Sequence, residues 1–393
     1  MIVVQINATG ETGSTGKICT SISSLLTERK TENYVLYCLG SNQNPAQIKY
    51  TDPKSVKLAA AESRIFGNWG FEGKASTKRL IKKLDEINPD IIHLHNIHSH
   101  SCNLAMLFNW IKKHKIKLFW TFHDCWAFTG YCMHYDMIGC EKWKTQCFDC
   151  PQKKEYSWLL DKSRQLYNRK KELLSGLNMT VITPSRWMAE QVGKSFLRDY
   201  PIMVINNGID LNVFFRVKSP VFRKKYDIKS KYIVLAVAFG WSEKKGIDVL
   251  FWLADKLDKD YQLVIIGYDN ALNGSAPANV ITIPRTHDAA ELADIYSSAD
   301  VLVNPTREEN FPTVNLEAIA CGTPAITFKT GGSPETIDES CGSVVEKNDA
   351  QAMLGEVKRI CETTPFSPEM CRKKAEQYDK NDRFLDYVKL YVD

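Results

Sequence analysis

The sequence predicts an α/β fold made of two similar, doubly wound units. Three observations carry the prediction. Short apolar runs of strand length alternate with amphipathic stretches of helix length, and this rhythm breaks once near residue 210 and then restarts. A length of 393 residues also suits two domains better than one. The 44% hydrophobic and 25% charged content is that of an ordinary globular chain and excludes a disordered or collagen-like one.

In chain order, residues 2–6 form an apolar run that ends in a turn at Asn7-Ala8-Thr9-Gly10, the pattern of a buried parallel strand. A helix is expected over 17–26 and a strand over 34–39. A basic amphipathic helix follows over 76–87, stopping before Asn88-Pro89, then a strand over 90–94. Residues 104–114 read as a helix, 117–122 and 179–183 as strands, 185–192 as a helix and 203–205 as a strand. The turn Asn206-Asn207-Gly208-Ile209-Asp210 marks the seam. Beyond it, strands are expected over 232–239, 262–266, 280–283, 301–304 and 325–328, with helices over 245–255, 289–299 and 313–321.

The net charge of +5 hides an asymmetry: residues 1–200 hold 28 Lys and Arg against 18 Asp and Glu, while the remainder has 23 against 28. A basic first half suits an anionic membrane surface or a phosphate-bearing substrate; without an arginine-rich tract or recognition motif it does not indicate nucleic acid. The start of the sequence lacks the basic and apolar regions of a secretory leader, and the best apolar run, over 232–241, is half of what a bilayer requires. A cytoplasmic protein is expected, at most touching the inner face of the cell membrane.

The most informative stretch is Val301 to Thr336. A buried strand ends at Asn304-Pro305, a loop bears Glu309, and a helix opens near Thr313, whose hydroxyl is placed to cap it. Glu317 falls about one turn inside that helix. Gly322-Thr323-Pro324 ends the helix, and the next strand runs into Gly331-Gly332. A helix N-terminus offers free N–H groups to a diphosphate. A carboxylate only accepts hydrogen bonds, so it suits sugar and ribose hydroxyls. Two carboxylates eight residues apart can grip hydroxyls on either side of a diphosphate.

This segment, with its Glu-Ala-x-Ala-Cys-Gly-Thr-Pro and Gly-Gly-x-Pro-Glu runs, resembles the Glu-x7-Glu signature of the retaining GT-B glycosyltransferases of group 1, similar to bacterial capsule, exopolysaccharide and colanic-acid transferases. The resemblance implies two Rossmann-like domains facing each other across a cleft. It assigns Glu309 to the donor sugar and Glu317 to the nucleoside ribose, with Asn310, Phe311, Thr313 and Val314 contributing to the donor site. Pro312 stands where the family has a glycine, removing one backbone donor. Lys245-Gly246 in AFGWSEKKGIDVL matches the phosphate-gripping segment and makes Lys245, with Lys244 beside it, the diphosphate cation. The arginine expected five residues earlier is Gly240.

The run Gly10-Glu-Thr-Gly13-Ser-Thr-Gly16-Lys17 is not a nucleotide P-loop, because five residues separate Gly10 from Gly16 and Ile18 replaces the required Ser or Thr. The resemblance instead makes Gly13 and Gly16 a glycine-rich turn near the donor phosphates, and His123 the strand-end residue that reaches the donor sugar. Thr183-Pro-Ser185-Arg-Trp-Met and Ile205-Asn-Asn-Gly208-Ile-Asp210 resemble the interdomain signature, and residues 384–391 the last helix. The expected division is 1–205, 206–375 and a helix within 376–393 crossing back to the first domain. Four histidines, His93, His95, His98 and His100, alternate around one strand end without a carboxylate or cysteine pattern of metal-ligand type.

Five of the twelve cysteines lie between 125 and 150. In a reducing compartment such density points to metal rather than disulfides, and Cys132, Cys140, Cys147 and Cys150 are the expected ligands of a structural Zn²⁺ in an insertion spanning 125–151. No cofactor is expected for catalysis. By the resemblance, the partners are a UDP- or GDP-sugar donor and a saccharide or polyprenyl-diphosphate-linked acceptor. The basic stretches 74–84 and 112–115 would face that acceptor at the membrane. A nucleotide-sugar epimerase of the same fold, or a non-catalytic nucleotide-sugar-binding protein, are the rival readings.

Overall fold

A computed structural model describes residues 1–40, 44–218 and 220–392. The chain divides into two compact units, one formed by 1–206 with 383–393 and the other by 207–382.

The first unit contains β1 (Ile2–Thr9), α1 (Gly13–Glu28), β2 (Glu32–Leu39), β3 (Gln47–Lys49), α2 (Pro53–Phe66), α3 (Lys74–Ile87) and β4 (Ile91–Leu94). It continues with α4 (Leu104–His114), β5 (Lys117–Thr121), α5 (Lys153–Tyr156), α6 (Ser163–Leu174), β6 (Met179–Thr183), α7 (Arg186–Gly193) and β7 (Ile202–Val204). Its seven strands run parallel in the order β3-β2-β1-β4-β5-β6-β7. The order reverses direction beside β1, the kind of switch point at whose carboxyl edge doubly wound sheets bind ligands.

The second unit contains α8 (Phe222–Lys225), β8 (Tyr232–Val237), α9 (Ile247–Lys256), β9 (Tyr261–Ile266), α10 (Asn270–Asn273), β10 (Val280–Ile283), α11 (Ala289–Ser298) and β11 (Val301–Asn304). Then come α12 (Thr313–Ala320), β12 (Ala325–Phe328), β13 (Gly342–Val345), α13 (Ala350–Thr363), α14 (Pro368–Ala375) and the start of α15 (Lys380–Val392). Six parallel strands follow the order β10-β9-β8-β11-β12-β13, with the switch between β8 and β11. The two-unit α/β architecture read from the sequence is the one observed.

The central strands carry the cores because parallel strands covered on both faces are apolar at nearly every position. Ile233 to Ala236 and Val301 to Val303 are fully buried. One face of the first unit's sheet is covered by α1 together with α15: Ile18, Ile22 and Leu26 meet Phe384, Tyr387, Val388 and Tyr391 over Val3, Ile91 and Phe119.

Two local expectations need correction. The helix expected to begin at residue 17 begins at Gly13, so Gly13 and Gly16 lie in its first turn. A side chain at Gly16 would put Cβ 2.4 Å from the Gly10 carbonyl, so the turn can fold back this closely only with glycine there. Thr313 is not the cap of its helix. Pro312 occupies that position without a side-chain capping bond, and Thr313, already inside the first turn, is wrongly placed to cap it.

Candidate active site

In the second unit the predicted residues gather at the carboxyl ends of β8, β11 and β12. Lys244 and Lys245 lie in a single 3-10 turn, Glu243–Lys245, one residue before α9, so Lys245 stands ahead of the helix that the sequence suggested it would open. Lys245 Nζ donates to Glu309 Oε2 at 2.8 Å. Lys244 Nζ stands 3.5 Å from Oε2 of the buried Glu308. The two consecutive lysines thus meet the two consecutive glutamates.

The loop that carries the glutamates is held from both sides. Arg307 grips the carboxylate of Asp248 with two bonds of 2.6 and 2.7 Å, and its backbone N–H donates to the Lys244 carbonyl at 2.8 Å. Opposite, Gly331 with φ +54° packs so closely that a Cβ would lie 1.7 Å from the Glu309 carbonyl oxygen. Arg307 is a cation that sequence reasoning passed over. It fixes the loop through Asp248 and is not an evident substitute for the arginine missing at Gly240.

Helix α12 opens toward this loop with no side chain capping its first turn, leaving that end suited to an anion. It is anchored from behind: Asn304 Nδ2 donates to Asn315 Oδ1 at 3.0 Å, and Asn315 Nδ2 donates to Thr336 Oγ1 at 2.9 Å. Glu317, one turn inside, accepts from the hydroxyl of Tyr296 at 3.1 Å. Tyr296 is fully buried, and burial together with the neighbouring Glu317 pushes its pKa well up, so the phenol stays protonated and donating. Thr313 and Val314 are part-exposed at the helix start, and Asn310 is buried beside Glu309. Phe311 is buried against Tyr378, ring centres 5.7 Å apart, so its side chain belongs to the core. No sequence signal marked Tyr296, which reaches Glu317 across 21 residues.

In the first unit Gly13, Gly16 and His123 follow the ends of β1 and β5. His123 stacks on His95, ring centres 5.5 Å apart and 18° between planes. A chain of hydrogen bonds fixes the protons. Gln5 donates its amide to the Cys19 carbonyl at 3.0 Å, so its Oε1 accepts from His95 Nε2 at 3.2 Å. His95 Nδ1 then accepts, and His123 Nε2–H donates to it at 3.2 Å. In that tautomer His123 Nδ1 carries no proton and is of the type that accepts from a hydroxyl. Burial lowers the pKa of His123 to about 4 even though Asp124 acts in the opposite direction, and burial holds His95 well below 6.5. Both rings are neutral. Burial would raise Asp124, but the adjoining His98, at 2.8 Å, brings its carboxyl down to about 2. His93 is buried between Thr121 and Tyr391, and His100 bonds Glu72, so these histidines serve the fold.

Comparison with known proteins follows the same division of the chain. Residues 218–381 match the family described as Glycosyl transferases group 1, and residues 19–213 match Glycosyltransferase Family 4. Over 370 residues the chain is 27% identical to an Escherichia coli (strain K12) protein with the provisional name colanic acid biosynthesis glycosyl transferase WcaC, covering 89% of this chain and 88% of that one. It is 26% identical over 209 residues to the N,N'-diacetylbacillosaminyl-diphospho-undecaprenol alpha-1,3-N-acetylgalactosaminyltransferase of Campylobacter jejuni, covering 50% of this chain and 55% of that relative. Among solved structures, sucrose-phosphate synthase from Thermosynechococcus elongatus matches with a TM-score of 0.74 at 17% identity, over 100% of this chain and 98% of that one. Anabaena HepE in complex with UDP matches at 0.70 and 14%, over the whole of both chains. These likenesses carry the GT-B fold.

Proposed function

Because the chain belongs to the group 1 glycosyltransferases and has their GT-B fold, we propose that it moves a sugar from a nucleoside-diphosphate donor, a UDP- or GDP-sugar, to a saccharide carried on a polyprenyl diphosphate, in the assembly of a cell-surface polysaccharide. The carrying observation is the Lys245–Glu309 pair beside the uncapped first turn of α12, with Glu317 held one turn further on. A cation and a helix end suit the diphosphate. Glu309 suits the sugar hydroxyls and Glu317 the ribose.

In this reading the bond between the anomeric carbon and the diphosphate oxygen breaks, and the electron pair leaves with the nucleoside diphosphate. Lys245 and the N–H groups of α12 meet the charge that develops there. The acceptor hydroxyl attacks from the face the diphosphate leaves, passing its proton to the departing phosphate, so configuration is retained. His123 accepts from a donor hydroxyl through Nδ1. The Escherichia coli and Campylobacter relatives, by their names, support the polysaccharide setting and the lipid-linked acceptor.

Contact with an anionic membrane is supported by an exposed apolar row in the first unit. Trp158, Leu159 and Leu160 are 62%, 65% and 47% exposed, and the Trp158 N–H is bound to the Arg64 carbonyl near exposed Phe66. Lys54 and Lys57 on α2 and Lys154 on α5 are exposed as well, and such a mixture of tryptophan and lysine favours a lipid interface. Among the described residues no helix is long and apolar enough to cross a membrane.

Incubating the protein with a panel of UDP-, GDP- and ADP-sugars, with and without a polyprenyl-diphosphate saccharide, tests the reading. Product should form with a UDP- or GDP-sugar and only with acceptor present. An interconverted donor sugar without acceptor would make it an epimerase, and donor binding without turnover a binding protein.

A further inference from the structure

We propose that Cys132, Cys140, Cys147 and Cys150 bind a zinc ion as a structural tetrathiolate, with Lys170 as its buried counter-cation. This is independent of the transfer reaction. The four side chains line one cavity in the first unit, together with Tyr131 and Trp143, and all four are free thiols.

Two of the four sulfurs accept hydrogen bonds. Gly130 N–H donates to Cys147 Sγ at 3.2 Å and Gln152 Nε2 to Cys132 Sγ at 3.4 Å. As the side chains stand, no three His, Cys, Asp or Glu among the described residues form a metal site. All four residues line the one cavity, and binding requires their side chains to turn and close on the ion.

Lys170 is the independent observation. Its side chain is fully buried, and its ammonium donates to the carbonyls of Trp126, Thr129 and Gly130 at 2.7, 3.1 and 3.3 Å. It lies 3.8 Å from the centre of the Trp126 ring. No carboxylate among the described residues stands within ion-pair distance of it. A buried cation without a counter-ion is costly. Four thiolates around Zn²⁺ carry a net charge of about −2, a counter-charge for the buried ammonium. Because Lys170 binds the backbone at Trp126 and Gly130, the ion would also set the segment that follows His123 and Asp124.

The test is metal analysis of the intact chain purified without chelator, followed by replacement of the metal with cobalt. One equivalent of zinc is expected, and the cobalt form should show the sulfur-to-cobalt charge transfer and strong visible bands of a tetrahedral thiolate site. Cys147→Ser and Cys150→Ser should each lose that spectrum, while Cys361→Ser, buried in the second unit, should keep it. Lys170→Met should release zinc to a chelator about tenfold faster, a change worth about 1.4 kcal/mol. A folded chain with substoichiometric zinc, a disulfide between any two of the four, or a coloured iron–sulfur cluster would overturn the assignment. An unchanged release rate in Lys170→Met would overturn the role of the lysine.

Discussion

Lys245 Nζ lies 2.8 Å from Glu309 Oε2, so the cation assigned to phosphate and the carboxylate assigned to sugar neutralise each other in this structure. A donor must part them, offering the lysine a diphosphate and the glutamate hydroxyls. Lys245→Met and Glu309→Gln are therefore each expected to lower kcat by about 10²–10³-fold, the effect of removing one group that stabilises developing charge. The pair is part-exposed, so loss of either partner should change stability by no more than about 1 kcal/mol. Steady-state rates and thermal melts decide this. A variant that melts early but turns over normally would place the pair in the fold instead.

Glu317 is held by Tyr296 and assigned to the ribose, away from the breaking bond. Glu317→Gln should raise the donor KM by about tenfold, some 1.4 kcal/mol, while leaving kcat nearly unchanged, because the contact serves ground state and transition state alike. A fall in kcat at constant KM would count against the assignment.

Gly331→Ala should be more damaging than its size suggests. Its Cβ would meet the Glu309 carbonyl at 1.7 Å in a backbone conformation that side chains rarely adopt. A cost of about 1–3 kcal/mol is expected. The displaced carbonyl belongs to the residue that faces the sugar, so donor affinity should fall as well. Isothermal binding of the donor nucleotide, compared between wild type and variant, tests whether the loop moves.

Three buried histidines predict acid sensitivity. Burial lowers His93 to about 3, His123 to about 4 and His95 well below 6.5. Their unfolded counterparts take up protons as the pH falls below about 6.5, and the folded ones do not. Stability is thus complete above that pH and declines as the pH falls toward the folded values, by about 1.4 kcal/mol per pH unit for each histidine. Asp124, lowered from 3.8 to about 2, adds its own loss only below 3.8. Urea midpoints should fall between about pH 7 and about pH 5, and less steeply in His123→Gln. A flat profile would mean that the rings are charged in the folded protein.

The strands, and the place of Glu309, Glu317 and Lys245 in the second unit, were legible because their signals are local. Val301 to Asn304 is a continuous apolar run, and Glu309, Glu317 and Lys245 sit in motifs that fix their place relative to a helix start. What escaped has other causes. Helix α2 opens at Asp52-Pro53, and the Asp52 side chain caps it through the Ser55 N–H at 2.8 Å, a signal of two residues that periodicity alone does not show. The edge strands β3 and β13, of three and four residues, and the helices α6, α13 and α14 went unread beside stronger patterns. Gln5 and Tyr296 act through contacts 90 and 21 residues away in sequence, which nothing local records. The start of α1 at Gly13 was lost because glycine reads as a turn until its packing is known.

The His93 ring bonds the hydroxyl of Tyr391 at 2.5 Å, and that tyrosine shares a cluster with Val3, Ile91 and Phe119. His93 therefore waits for a partner made 298 positions later. While the ribosome adds the intervening unit, α1 alone covers this face of the sheet, so the first unit completes its packing only after the second has been made.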